Sequence, residues 1–246
     1  EDCKTFCAHG CFALNVITAV VSQNTQGVRD YMDVPPALIA SQIDAVFEDI
    51  SVDAVKIGMV SVPETIRAIV GKLEQYKPPV VVIDPVMVAT SGHRLLAPKA
   101  EAILKELLLP WATVLTPNIP EAEVLAEMKI KSFADMERAA EKIVALGPRA
   151  VLVKGGHRTE DATDILYDGK RFHYCKGRHI ESTSTHGTGC SLSSAVAADL
   201  ANGMTLADAV KEAKQYVFDG IAHAEPIGKG HGPIHHFYEL YRKAGM

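Results

Sequence analysis

Long apolar runs and clusters of positive charge are both missing from this sequence. No apolar stretch in the 246 residues approaches the roughly 20 residues that a helix needs to cross a bilayer, so a membrane-spanning role is not expected. The formal net charge is -5, and neither sign forms a long block. Because nucleic-acid and anionic-membrane partners usually require a basic patch, the composition predicts neither partner.

The cysteines do not form the pattern of a disulfide framework. Five cysteines at uneven spacing argue against paired thiols and are typical of a reducing cytosol, so we expect a cytoplasmic protein. Cys3, Cys7 and Cys11 are spaced as on one face of a helix, and no further Cys or His cluster accompanies them at metal-ligand spacing. We expect these three thiols to pack as small buried hydrophobic groups.

What is present is typical of one large soluble domain. Hydrophobic residues make up 48% of the chain and charged residues 22%, as in globular proteins. The length allows a substantial core without requiring a second domain, so we expect one domain over residues 1–246. The chain opens without Met, on residues typical of a helix interior that ends near Gly10, so we expect further residues to precede Glu1.

Apolar runs rich in Val, Ile and Leu alternate with amphipathic segments as far as Lys154. Such runs are typical of parallel strands that helices cover on both faces. The predicted strands are Val16–Ser22, Ala54–Ile57, Val80–Asp84, Thr113–Thr116 and Ala150–Lys154. The predicted helices are Pro36–Ile50, Pro63–Tyr76, Pro98–Leu108, Pro120–Met128 and Phe133–Leu146.

After Lys154 the pattern changes. A hairpin is predicted around Gly169, with strands Asp164–Asp168 and Arg171–Lys176, followed by helices Thr188–Ala201, Leu206–Ala224 and His236–Lys243. Hydroxyl groups three positions before an acidic residue predict helix caps at Ser61, Ser132 and Thr205. The expected fold class is α/β: a doubly wound, mostly parallel central sheet flanked by helices, with an antiparallel hairpin toward one edge.

Ligands of such sheets bind beyond the carboxyl ends of the strands, where polar residues cluster in this sequence. The segment His186-Gly-Thr-Gly-Cys190 opens an apolar helix, so its backbone N–H groups and the helix dipole could cradle a phosphoryl group. The same field would lower the pKa of the Cys190 thiol, and a thiolate could act as a base. The alternative is an ordinary helix start with small residues for close packing.

Three further polar clusters follow predicted strands. Asp84 could bind a metal ion or begin an ordinary turn. Asn118 and Glu121 could face one crevice, where Glu121 would suit water-mediated Mg²⁺, or Glu121 could simply favour a helix start. Lys154 could meet a nucleotide phosphate or stay solvated beside two glycines. Because all four clusters fall at one predicted sheet edge, together they indicate a site for phosphoryl transfer.

At these residues the chain resembles the ribokinase-like superfamily, most closely the hydroxymethylpyrimidine/phosphomethylpyrimidine kinases, essentially from end to end. The motifs that carry the resemblance are Lys4-Thr-Phe6, Gln23-Asn-Thr25, Lys56-Ile-Gly-Met59, Asp84-Pro-Val-Met-Val-Ala-Thr-Ser-Gly92, Thr116-Pro-Asn118, Pro120-Glu-Ala122, Leu152-Val-Lys-Gly-Gly-His157, Thr185-His-Gly-Thr-Gly-Cys190 and Gly230-His-Gly-Pro-Ile-His-His236.

The resemblance implies an ATP-dependent kinase of thiamine biosynthesis. It would phosphorylate 4-amino-5-hydroxymethyl-2-methylpyrimidine and then the resulting monophosphate in one site, and it would be a homodimer. The roles that the resemblance assigns fall into four groups: Gly187, Thr188, Gly189 and Cys190 for catalysis, Gln23, Met59 and Val86 for the pyrimidine, Asn118, Lys154 and Thr185 for ATP, and Asp84 and Glu121 for Mg²⁺.

Two departures and two alternatives accompany the resemblance. The family begins with a strand and a Gly/Ser-rich loop before the position of Glu1; a molecule that truly began at Glu1 would have an incomplete sheet and little activity. Glu181 stands where Asp is expected. One alternative is a pyridoxal or pyridoxine kinase of the same branch, against which Gln23 and Met59 argue. The other is an inactive ligand-binding protein, against which the intact polar clusters argue.

Overall fold

A central β-sheet organises the molecule. The computed structural model describes residues 1–87, 98–156 and 161–246. Within these ranges six strands form one sheet in sequential order, β3-β4-β5-β6-β7-β8. The strands of the chain are β1 (Ala19–Asn24), β2 (Gly27–Asp33), β3 (Val55–Ile57), β4 (Val81–Ile83), β5 (Val114–Leu115), β6 (Val151–Val153), β7 (Asp164–Tyr167) and β8 (Phe172–Cys175). Strands β3 to β6 run parallel, and β7 and β8 add an antiparallel edge, as predicted.

Helices cover both faces of this sheet. They are α1 (Asp2–Ala8), α2 (Pro36–Phe47), α3 (Pro63–Tyr76), α4 (Pro98–Ile103), α5 (Ile119–Ala126), α6 (Phe133–Val144), α7 (Thr188–Ala201), α8 (Leu206–Ala222) and α9 (Tyr238–Lys243). Side chains alternate along each strand, so Val81 and Ile83 join a core with α2, α3, α5 and α6, while Val82 joins a second core with α7 and α8. The chain after α4 continues as a wider π-helical turn, Leu104–Leu108.

The first strand is where the expected topology was wrong. The predicted strand Val16–Ser22 is β1, three residues later, and it pairs antiparallel with β2 in a separate two-stranded sheet. Strand β2 was not predicted, because its side chains lie exposed or half-buried on both faces and its sequence includes Arg29, Asp30 and Asp33. A strand without a buried face has no hydrophobic alternation to reveal it.

Two of the three predicted caps are confirmed. Ser132 accepts a hydrogen bond from the N–H of Asp135 (3.2 Å), and Thr205 accepts one from Asp208 (3.3 Å). The prediction for Ser61 is wrong: α3 begins after Val62 without a side-chain cap. Pro63 stands at its first position, where its fixed φ suits a helix start.

The expected burial of the N-terminal cysteines is also wrong. Helix α1 ends at Ala8, so Cys11 lies beyond it and the three thiols do not form one helical stripe. Cys7 is exposed, and Cys3 and Cys11 are half-buried. All five cysteines of the chain are free thiols, as the sequence predicts.

Candidate active site

Every predicted site residue lines one crevice of about 2170 Å³ at the carboxyl end of the parallel strands. This is the edge where ligands of doubly wound sheets bind. The predicted residues that line it are Gln23, Met59, Asp84, Val86, Asn118, Glu121, Lys154, Thr185, Gly187, Thr188, Gly189 and Cys190. Two predicted motifs extend outside the described residues: Val88–Gly92 of the strand-end motif, and His157.

The loop before α7 is built to present backbone N–H groups. Gly187 has a left-handed backbone (φ 78°), which a residue with a Cβ adopts at a cost, and it turns the chain into the helix. No side chain of the described residues caps α7, so the N–H groups of Gly189 and Cys190 in its first turn are open to the crevice. An anion placed there would meet these N–H groups and the positive end of the helix dipole.

Gly189 also permits close approach of two charged groups. A Cβ at Gly189 would lie 3.2 Å from Nζ of Lys154 and 3.6 Å from Oδ2 of Asp84. Lys154 follows β6 and Asp84 follows β4, so two strand ends and one helix start converge on this point. The convergence places a cation and a carboxylate directly beside the N–H groups of the loop.

Asp84 and Lys154 form an ion pair with a distance of 2.8 Å between Oδ1 and Nζ. The Asp84 side chain is buried (2% exposed) and the Lys154 side chain is largely covered (13% exposed). The Thr116 hydroxyl donates to the same Asp84 oxygen (3.3 Å). Burial lowers the pKa of Lys154, but the Asp84 and Glu121 carboxylates outweigh it and raise that pKa, so the ammonium stays charged.

Asn118 and Glu121 cap helix α5 reciprocally. Asn118 Oδ1 accepts from the N–H of Glu121, and Glu121 Oε2 accepts from the N–H of Asn118, each at 2.9 Å. The N–H of Met87 donates to the other Glu121 oxygen (3.4 Å). The helix-start interpretation is therefore correct for both residues, and the same caps hold them in the crevice.

The surroundings of Glu121 disfavour the ionised form of its carboxyl group. Burial, with a smaller contribution from Asp84, raises its pKa to about 7, although Lys154 and two backbone N–H groups oppose the shift. Among the described residues, no group of three or more His, Cys, Asp or Glu side chains could hold a metal ion alone. Two buried acids facing one crevice do fit Mg²⁺, which retains waters and in phosphoryl-transfer sites also takes phosphate oxygens as ligands.

The predicted pKa shift of Cys190 is wrong in sign. Cys190 is half-buried at the first turn of α7, and the loss of hydration raises the pKa of its thiol above the ordinary value. Lys56 opposes this rise most strongly, Asp84 and Asp2 add to it, and Lys154 opposes it weakly. The sequence argument considered only the helix dipole and left out desolvation, which raises the pKa of the thiol.

Lys56 is the residue that the sequence argument missed. It lies in the middle of β3 with its side chain 2% exposed, and its Nζ contacts both Asp2 oxygens at 2.9 Å. A signal was available: a single lysine inside an otherwise apolar strand is rarely buried without a partner.

The C-terminal tail joins the two sides of the crevice. The N–H of His231 donates to the Thr25 carbonyl (2.8 Å), and the N–H of His186 donates to the Gly232 carbonyl (2.9 Å). A Cβ at Gly230 would lie 2.1 Å from the Thr25 oxygen, so only glycine fits this approach. The tail therefore ties the turn of the β1–β2 hairpin to the loop that precedes α7.

Of the three residues predicted for the organic substrate, Gln23 lies on β1 of the hairpin, Met59 follows β3 and Val86 follows β4. Gln23 is exposed and follows an irregularity in the β1–β2 register between Ser22 and Gln23, which re-aims the strand there. Met59 and Val86 are half-buried, and the Met59 carbonyl accepts from the Thr18 hydroxyl (3.0 Å). All three line the same crevice as the loop before α7.

Known proteins are similar to this chain in sequence. The sequence model of a family described as phosphomethylpyrimidine kinase matches residues 1–235. The thiamine biosynthesis bifunctional protein ThiED of Geobacter sulfurreducens is 48% identical over 96% of this chain, which spans about half (48%) of that protein. The hydroxymethylpyrimidine/phosphomethylpyrimidine kinase of Rhizobium meliloti is 48% identical, with 98% of this chain and 92% of that protein covered.

Solved structures are similar to this chain in fold as well as in sequence. The phosphomethylpyrimidine kinase of Clostridium difficile is 45% identical with a TM-score of 0.81, covering 89% of this chain and 91% of that one. The pyridoxal kinase of Staphylococcus aureus in complex with ADP is 31% identical with a TM-score of 0.88, covering 96% of this chain and 87% of that one. The predicted ribokinase-like fold class is confirmed.

Proposed function

The chain belongs to the phosphomethylpyrimidine kinase family and is a phosphotransferase, and on that premise we propose its substrates and the roles of its residues. The proposed reaction transfers the γ-phosphoryl group of ATP to the hydroxymethyl group of 4-amino-5-hydroxymethyl-2-methylpyrimidine, and then a second group to the monophosphate. The names of the Rhizobium and Geobacter relatives support this substrate and a place in thiamine biosynthesis. The observation that carries the chemistry is the convergence of Lys154, Asp84 and the loop before α7 at Gly189.

The proposed catalytic residues act at different steps of the phosphoryl transfer. An oxygen lone pair of the hydroxymethyl group attacks the γ-phosphorus, and the hydroxyl proton passes to the Cys190 thiolate, which becomes a thiol. The bond from the γ-phosphorus to the β–γ bridging oxygen breaks, and ADP leaves with that electron pair. The Gly189 and Cys190 N–H groups and the Lys154 ammonium stabilise the negative charge that develops on the transferred group.

The remaining proposed residues position the reactants. Asn118 and Thr185 would contact the nucleotide, and Gln23 would hydrogen-bond the pyrimidine between Met59 and Val86. Asp84 and Glu121 would hold Mg²⁺ through water. When bound, Mg²⁺ supplies positive charge to the phosphate oxygens, and it would return Glu121 to its ionised form.

A pyridoxal kinase is the second candidate. The likeness to the Staphylococcus aureus enzyme favours it, since that structure superimposes with the higher TM-score, 0.88 against 0.81. Sequence identity favours the pyrimidine kinase, at 45% and 48% against 31%. Because substrate choice depends on side chains more than on backbone shape, the identity has the greater weight.

The test offers hydroxymethylpyrimidine and pyridoxal separately to the protein with Mg²⁺-ATP and measures ADP release. We expect faster turnover of the pyrimidine, approaching two ADP per pyrimidine consumed. Faster turnover of pyridoxal would make it a B6 kinase, and turnover of neither would contradict the proposed chemistry.

The expected dimer comes from the resemblance, and the expected cytoplasmic location comes from the cysteine usage. No described helix is both long and apolar enough to cross a bilayer. We propose a cytoplasmic homodimer, and the exposed apolar side chains of Val20 (56%) and Met32 (67%) offer a contact surface on the hairpin. Sedimentation velocity tests the dimer. The wild-type protein should sediment as a dimer, and Met32→Lys should shift it toward monomer. A monomeric wild type would contradict the proposed dimer.

A further inference from the structure

The Lys56 ammonium is buried against the N-terminal helix α1. Its side chain is 2% exposed, and both oxygens of one carboxylate, Asp2, lie 2.9 Å from its Nζ. The side chain also reaches forward past the end of β3, since a Cβ at Gly58 would lie 2.7 Å from Nζ. Burying an ammonium group costs free energy, so a buried lysine indicates a structural or functional role for its charge.

The partner of Lys56 connects it to the helix that carries Cys190. Asp2 Oδ1 accepts a hydrogen bond from the Ser194 hydroxyl at 2.8 Å. Ser194 follows Cys190 by four residues in α7, so the two side chains lie on the same helix face. The ammonium, the carboxylate and the thiol therefore belong to one cluster, although β3, α1 and α7 are far apart in sequence.

Within this cluster Lys56 is the dominant favourable charge for a thiolate. Burial, Asp84 and Asp2 all raise the pKa of Cys190, and Lys56 lowers it more than Lys154 does. Lys154 is also occupied by its ion pair with Asp84. A thiolate at Cys190 would meet uncompensated negative charge if the Lys56 ammonium were removed.

We propose that Lys56 is a positioning residue for the reaction: held by Asp2, it supplies the positive charge under which Cys190 gives up its proton. The proposal rests on the proposed function, in which the Cys190 thiolate accepts the hydroxymethyl proton. Lys56 itself contacts neither the alcohol nor the phosphate in this role. It acts on the thiol through the buried space between β3 and α7.

The test compares Lys56→Met with Lys56→Arg in the full chain and follows alkylation of Cys190 by iodoacetamide as a function of pH, using mass spectrometry of the Cys190 peptide. In Lys56→Met we expect the midpoint of alkylation to rise by about one pH unit or more. Turnover at pH 7 should fall roughly tenfold and recover as the pH rises, because the thiolate then forms again. ATP affinity should change less than about twofold.

Matched measurements separate a charge effect from a packing effect. Lys56→Arg, which keeps the charge, should restore most of the shift, and exposed Cys7 is the internal standard for reagent reactivity. Lys56→Gln, which removes the charge but keeps a hydrogen-bond donor for Asp2, should raise the midpoint as Lys56→Met does, and it serves if Lys56→Met does not fold. An unchanged midpoint in whichever of these two variants folds would overturn the proposal.

Cys190→Ala distinguishes failure of this proposal from failure of the proposed function. Full turnover in Cys190→Ala would remove the thiol from the chemistry and with it the role given to Lys56. Strong loss in Cys190→Ala together with a normal alkylation midpoint in Lys56→Met would leave the proposed function standing and overturn only the role of Lys56.

Discussion

The two sides of the crevice are built in opposite ways. Around α7 the functional groups are buried and tied to several strand ends, as the Asp84–Lys154 ion pair shows. Among the described strands, β1 and β2 form a sheet of their own, and their side chains are exposed or half-buried. The difference indicates a division of labour: a rigid end suits phosphoryl transfer, whose geometry is common to all substrates, and an exposed hairpin suits recognition of one particular ring.

The largest effect should come from the rigid end. Lys154→Met removes the charge that we propose meets the phosphates and leaves the buried Asp84 without its cationic partner, so kcat/KM should fall by roughly a thousandfold or more. Steady-state kinetics measure the loss, with the exposed Lys170→Met as the control that should behave as wild type. A Lys154→Met enzyme within about tenfold of wild type would contradict the role of this cation.

The next largest effect is expected from the close approach of Lys154 to Gly189. Gly189→Ala places a methyl group 3.2 Å from Lys154 Nζ, so the ammonium must shift and kcat should fall by roughly ten- to a hundredfold. Gly71→Ala is the matched control, because a Cβ there has no atom within 4 Å and the helix interior of α3 favours alanine. Circular dichroism should show both variants folded; normal kcat in Gly189→Ala would show that the approach at Gly189 is not needed.

The hairpin should respond differently. Gln23→Ala should raise KM for the pyrimidine by about tenfold, the effect of one lost hydrogen bond in a binding site, while KM for ATP stays near its wild-type value. The neighbouring exposed Gln26→Ala is the control. Equal losses for both substrates would mean that Gln23 does not contact the pyrimidine.

The smallest effect should appear in stability. The folded-state pKa of Glu121 is raised to about 7, so the native state binds more protons than the unfolded state between about pH 4.5 and 7. Its contribution to the free energy of unfolding must then fall as the pH rises through that window and stay constant above it. Glu121→Gln keeps the helix cap and removes this fall, so in metal-free buffer at pH 8 it should gain about 1 kcal/mol, or roughly 2–4 °C in Tm.

That Tm difference between Glu121→Gln and wild type should shrink at pH 5, where both side chains are neutral. Addition of Mg²⁺ and ATP should reverse it by stabilising the wild type. A difference that does not depend on pH would contradict the raised pKa.

The same contrast decides what the sequence could predict. Strands such as β4 are continuous buried runs, so their positions and the polar residues at their ends, including Asp84 and Lys154, follow from the hydrophobic pattern. Strand β2 has no buried face, so no pattern reveals it. The pKa of Cys190 depends on burial and on Lys56 and Asp2, which are distant in sequence, so only the folded arrangement gives its direction.

The measurement that tests the division of labour most directly is isothermal titration calorimetry of Lys154→Met and Gln23→Ala with ATP and with hydroxymethylpyrimidine. Lys154→Met should lose affinity for ATP while its Kd for the pyrimidine stays within about twofold of wild type, and Gln23→Ala should show the reverse. If either variant lost affinity for both ligands to the same extent, the crevice would be one coupled site and the account of two separate sides would be wrong.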